Sequence, residues 1–200
     1  MIHSGEIAVA RKDMRFFSFV VLMLFSPWCL AAGTISFPVY ASVHLERQGI
    51  SLSSEKFEPL AASAVIGGWV YDGIALELEF GTGIQDDDVA TLSLETDTHV
   101  AAGIRLESRP VGGIAAYALF STSNVSVSSR FTSGTASPDK RSFSGVRGVF
   151  GLTFTVLPGW VADAAFVRQQ YDDDFGINGF RMGVRYLIND VRPRPRPRWL

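Results

Sequence analysis

Two hundred residues suffice for one domain, and 18 Lys+Arg against 20 Asp+Glu leave a formal charge of −2, which excludes a globally basic nucleic-acid binder. A single cysteine excludes a disulfide framework. Nineteen glycines, scarce lysine and abundant serine, threonine and aromatics point to a β-rich chain with many turns, with no helical stripe of useful length.

In chain order, residues 14–32 read MRFFSFVVLMLFSPWCLAA. Arg11, Lys12 and Arg15 precede an apolar run from Phe16 to Leu30 that ends in small residues, the tripartite layout of a secretory signal peptide. The run is short for a bilayer core of about 30 Å and Pro27 interrupts it, so a retained anchor is the weaker reading. Trp28 and Pro27 stand where small residues precede a lipidated cysteine, which argues against a lipoprotein at Cys29. Residues 1–32 are therefore expected to be removed, leaving a cysteine-free mature chain that starts near Ala31 to Gly33, with Met1 or Met14 as the start of synthesis.

Segments of period two follow, separated by turn signals. The clearest is 73–80, where Ile74, Leu76, Leu78 and Phe80 fall on one face and Ala75, Glu77 and Glu79 on the other. From His99, the residues Val100, Ala102, Ile104 and Leu106 oppose His99, Gly103, Arg105 and Glu107. Over 180–188, Phe180, Met182, Val184, Tyr186 and Ile188 oppose Arg181, Gly183 and Arg185. Weaker relatives occupy 39–45, 60–70, 114–120, 146–156 and 160–169, which predicts eight strands. Tight turns at 71–73, around Pro110 and at 157–159 alternate with longer polar loops at 46–57, 81–97, 121–142 and 171–178. A transmembrane barrel sorts its connections this way, with short periplasmic turns and long extracellular loops. Trp69, Tyr71 and Trp160 at the short-turn ends suit an interfacial aromatic girdle. The predicted fold is all-β, an eight-stranded antiparallel up-and-down transmembrane β-barrel over 33–188 with an Arg/Pro-rich periplasmic tail over 189–200. A soluble periplasmic β-domain is the rival.

Two stretches then resemble the small eight-stranded outer-membrane barrels of the outer membrane protein A and opacity-protein type. They are Gly67-Gly-Trp-Val-Tyr-Asp-Gly-Ile-Ala-Leu-Glu-Leu-Glu-Phe-Gly81, similar to that family's second hairpin, and the closing strand Arg181-Met-Gly-Val-Arg-Tyr-Leu-Ile188. The resemblance spans residues 36–188 and implies export to the outer membrane and no catalysis. It also implies an assembly signal at Gly183, Tyr186 and Ile188, read by the barrel assembly machinery. The family closes on a terminal phenylalanine, whereas this chain has Ile188 and then further residues.

Within a barrel, Glu77, Glu79, Glu107 and Asp163 share the lumen face with Arg105, Arg147, Arg181 and Arg185. An eight-stranded lumen is only wide enough for side chains to fill it, so a neutral, plugged interior is expected, with a small solute pore as the alternative. Leu76, Leu78, Ile104 and Val184 are expected to face the bilayer, and lumen neighbours such as Ala75 to tolerate polar replacement better than they do. Ser42 and His44 on one strand, with His99 near the same rim, admit a Ser-His-carboxylate site, but no motif of a lipid-modifying enzyme accompanies them. Asp86-Asp87-Asp88 and Asp172-Asp173-Asp174 read as solvated loop tips, with cation binding as the alternative, and no metal is assigned. Val125 and Val127 alternate within the third long loop, as in a hairpin that continues beyond the membrane. The tail prolines favour an extended stub whose arginines could meet anionic headgroups. The sequence thus predicts a monomeric outer-membrane protein with a structural or surface-recognition role through its loops. Lipid and lipopolysaccharide surround it, with no cofactor and no nucleic acid.

Overall fold

The computed structural model of the protein describes residues 38–52, 55–89, 92–131, 139–171 and 176–188. The predicted signal peptide, the Asp172-Asp173-Asp174 run and the tail from 189 lie outside these residues.

Alternating side chains build ten strands: β1 (Val39–Leu52), β2 (Glu55–Phe57), β3 (Leu60–Tyr71), β4 (Ile74–Gln85), β5 (Asp87–Val89), β6 (Leu92–Glu107), β7 (Ile114–Phe131), β8 (Asp139–Leu157), β9 (Trp160–Gln170) and β10 (Gly176–Leu187). Eight of them form one antiparallel sheet, with short β2 and β5 paired to β1 and β6 at one end. The last strand pairs with the first from Tyr40–Leu187 to Ile50–Ile177, so the sheet closes into a barrel without an edge in its middle. Gly73 and Gly159 sit at φ 77° and 80°, the left-handed conformation that their tight turns require and that a Cβ would strain.

Register fixes the barrel's shape. Tyr40 pairs with Gly67, and the row continues through Glu77, Gly103, Ser121, Arg147, Gln169 and Ile177 to Ile50, returning to β1 ten residues further on. Eight strands with that shear tilt by about 40°, given about 3.3 Å per residue and about 4.8 Å between strands. A second row, all outward, runs Tyr71, Ile74, Leu106, Ala118, Phe150, Phe166, Phe180, Arg47. Each strand step along it climbs about 3 Å, so Tyr71 and Arg47 differ in height by roughly 22 Å, close to the apolar band of about 25 Å on outer-membrane barrels. Between these levels the exterior is apolar and exposed, as at Val43, Ile66, Ile104, Phe150 and Met182.

The strands run further than the alternation of hydrophobicity predicts. Residues assigned to polar loops at 46–52, 81–85, 92–97, 121–131, 139–142 and 176–178 are paired strand. The cause is a change of solvent along each strand. Within the band the outward side chains are apolar; above it Asn124, Ser142 and Ser144 face outward and Val125, Val127 and Ile177 inward. The apolar phase shifts by one residue while the strand continues.

Candidate functional site

The lumen is filled at three levels. At the periplasmic end Tyr40, Trp69 and Ala75 pack together with Leu187 against them. Ala75 is wholly buried there, in an apolar plug below the charged chamber.

The lower half of that chamber is an Arg–Glu chain. Arg185 forks onto Glu107, with Nη1–Oε2 at 2.9 Å and Nη2–Oε1 at 3.1 Å. Arg105 bridges Glu107 at 2.9 Å and Glu77 at 3.2 Å, and Tyr40 donates to the same Glu77 oxygen at 2.5 Å. Its guanidinium lies 3.6 Å from the Tyr117 ring centroid, a cation–π contact in a desolvated setting. In the upper half, Arg147 donates to Glu46 and, at 2.5 Å, to Glu79. Arg181 reaches Glu79 at 3.2 Å, and His99 Nδ1 lies 3.8 Å from the other oxygen of Glu79. His44 Nε2 stands 3.1 Å from Asp163, which also accepts from Tyr117 at 3.3 Å. Gln48 and Gln169 donate to Glu46 at 3.3 and 3.4 Å, and Thr96 donates to Gln48 at 2.7 Å.

All eight charged residues singled out in the sequence sit in this one network. Glu46 joins them; sequence reasoning missed it because Arg47 and Gln48 made the segment look like a loop. The signal was there, since His44, Glu46 and Gln48 continue the inward period of β1. Glu46, Glu77, Glu79, Glu107 and Asp163 thus face four arginines, with His44 and His99 as further basic groups.

Above the chamber a separate apolar cluster of Ile50, Phe57, Leu94, Val125, Val127, Tyr171 and Ile177 fills the extracellular end of the lumen, with Val89, Leu92 and Phe143 packed on it. A bulge between Thr96 and Thr98 re-aims β6 so that Leu94 turns inward.

The remaining candidates are placed as follows. Gly183 lies between His44 on β1 and Asp163 on β9; a Cβ there would collide with the His44 ring and stand 2.6 Å from the Val43 carbonyl oxygen. Tyr186 faces outward at the periplasmic rim, its ring 4.9 Å from that of Trp160. Ile188 follows β10, and its N–H donates to the Val39 carbonyl at 2.8 Å. Ser42 and His44 share the buried inward face of β1, but the His44 ring meets Asp163 through Nε2 and its Nδ1 has no hydrogen-bond partner among the described residues, while His99 lies against Glu79. Asp86 binds Ser93 at 3.2 Å and Arg130 at 2.9 Å, and Asp87 accepts the Glu58 N–H at 2.6 Å, which ties the first acidic run to neighbouring strands. Asp86 is held below the usual carboxylate range by its own backbone N–H, then by the Ser93 hydroxyl and Arg130.

No family model matches the sequence, and no curated protein matches it. Solved structures do match in fold. Neisserial surface protein A superposes with a TM-score of 0.61 at 13% identity, over 74% of this chain and 96% of that one. Ail, the attachment invasion locus protein of Yersinia pestis, gives 0.58 at 13% identity, over 76% of this chain and 99% of that one. The same Ail in complex with the heparin analogue sucrose octasulfate gives 0.56 at 15% identity, over 76% and 99%. The fold is therefore that of the small eight-stranded outer-membrane barrels.

Proposed function

We propose that this outer-membrane barrel is a closed, non-catalytic carrier of a surface-recognition platform formed by its extended extracellular hairpins. The observation behind this reading is the occupied lumen: an apolar plug, a charge network and an apolar cap lie in series along it. The cap adds to it. Above the lipid, the extended ends of β6, β7 and β8 close with β1, β2 and β10 around an apolar core of their own, a stand for the connections beyond it. On its outer wall Asn124 donates to Ser144 at 2.8 Å and Ser126 pairs with Ser142 at 2.7 Å, a polar ladder suited to hydrogen-bonded recognition. An attachment protein among the fold neighbours supports surface recognition over transport.

Two measurements test this. Purified protein in planar bilayers should give no stable open-channel current, and sustained currents would promote the pore reading. Bacteria displaying the barrel should gain adhesion to cultured cells, and lose it when β7 and β8 are shortened to Asn124 and Ser144. Adhesion unchanged by that truncation would refute the platform.

A further inference from the structure

On the outer wall, β10, β1, β3 and β4 enclose a shallow apolar concavity of about 740 Å³ at membrane depth. Its floor is small, with Ala62, Ala64 and the backbone at Gly81 and Gly183, between the taller Phe80 and Met182. Its upper mouth is cationic. Arg47, Leu45 and Val43 are successive outward positions of β1, so Arg47 stands directly above the concavity. Lys56 stands beside it: Arg47 and Lys56 share one carboxylate, Glu58, at 2.9 and 3.0 Å, and both cationic side chains stay about two-thirds exposed, with donors left over for a further anion. A second cation occurs at the same depth. Arg168 is two residues above Phe166, and Phe166 is two strand steps below Arg47 in the register row. Those offsets amount to about 5 Å and about 6 Å of height, which places both arginines at one level, about 12 Å apart across β10.

An arginine on the lipid side of a barrel is tolerated where the apolar band ends. Arg47 with a lysine above the concavity, and Arg168 at the same height to one side of it across β10, ask for an occupant with an apolar stem in the bilayer and anionic groups at the headgroup level. A second copy of the chain would bring its own cations to that level, and a soluble peptide has no access to the lower part. We propose that this wall holds one outer-leaflet lipid that is acylated and multiply phosphorylated. Its acyl chain lies over Ala62 and Ala64, and its phosphates are met by Arg47 with Lys56 and by Arg168. Guanidinium suits this role because it binds phosphate oxygens bidentately.

The test uses the mature chain in phosphatidylcholine nanodiscs containing equal amounts of diphosphoryl lipid A and phosphatidylglycerol, followed by gentle detergent release and native mass spectrometry. Wild-type protein should retain lipid A in preference to phosphatidylglycerol. R47Q combined with R168Q should lower that retention about tenfold or more, since charge-assisted bonds to both phosphates are lost. A64F, which fills the concavity, should also lower it, while R109Q at the periplasmic end should not. Heat-modifiable gel migration identifies any variant that has failed to fold. Equal retention by the double variant, or equal uptake of phosphatidylglycerol by the wild type, overturns the proposal. Neither result touches the adhesion reading, which is measured on the extracellular hairpins.

Discussion

Arg147 and Arg141 lie on the same strand, six residues apart, and should differ sharply when truncated. Arg141 pairs with Asp139 in water, with both side chains more than half exposed. Such a pair contributes about 0–1 kcal/mol, because solvent screens it and ordering two long side chains costs entropy. Arg147 is wholly buried and holds both Glu46 and Glu79. At an effective dielectric of about 20, each close pair carries roughly 4 kcal/mol of Coulomb attraction, much of it offset by desolvation. Removing the arginine leaves that desolvation uncompensated at two carboxylates, only one of which keeps another arginine, Arg181 at 3.2 Å. The expected loss for Arg147→Ala is therefore about 3–5 kcal/mol, against less than about 1 for Arg141→Ala. Reversible denaturant unfolding from lipid vesicles, followed by tryptophan fluorescence, measures both. Adding Glu46→Gln to Arg147→Met should recover part of the loss, since it removes an orphaned charge. Losses for the two alanine variants within about 1 kcal/mol of each other would refute the claim that ion pairs across the lumen hold the barrel.

On the lipid side, Leu78→Arg should cost about 2–4 kcal/mol in the same assay, as expected for a charge near the bilayer midplane, while an arginine at Thr82 by the outer rim should cost about 0–1. Gly183→Ala should slow insertion more than Ala162→Gly does, because the added methyl meets the His44 ring; equal insertion half-times would remove that steric account. The Asp86 anchor is pH-dependent: its carboxyl is depressed in the folded state, so its contribution is full above the unfolded value and is lost as pH falls through the folded one. Amide exchange across 87–89 and 92–94 should therefore accelerate in acid below the usual carboxylate range, and Asp86→Asn should flatten that response.

Much of this architecture was legible because the membrane imposes opposite chemistry on alternate residues. Over 73–80 and 180–188 the period of two separates apolar from charged side chains so cleanly that the lumen residues could be named, and the structure gathers them. What the period could not supply was pairing. That Arg147 on β8 meets Glu46 on β1 and Glu79 on β4 depends on barrel closure and shear, which no local pattern encodes. The outer halves of most strands were missed for a different reason. Val125 and Val127 are apolar and inward, whereas Phe120 is apolar and outward, so the hydrophobic phase breaks where the lipid ends; there the alternation of the two valines still signalled the extended β7–β8 hairpin, while the other segments carried no such signal. On β6 the bulge at Thr96 and Thr98 adds a second break and hides Leu94.

The two halves of the lumen therefore solve one problem in two ways. In lipid, an apolar interior would gain little over an apolar exterior, because no water is left to drive the side chains inward. Specificity must come from groups that lipid rejects, and charges paired across the lumen supply it: Glu79 on β4 binds Arg147 on β8 and Arg181 on β10, joining walls that share no backbone hydrogen bond. Above the lipid the exterior is wet, burial of apolar area again favours the folded state, and the Ile50–Phe57–Leu94 cluster takes over. Closure of the lumen thus follows from stability at each level. A conducting variant would have to give up the periplasmic plug, the charge network and the cap together, because opening any one alone leaves the others in place.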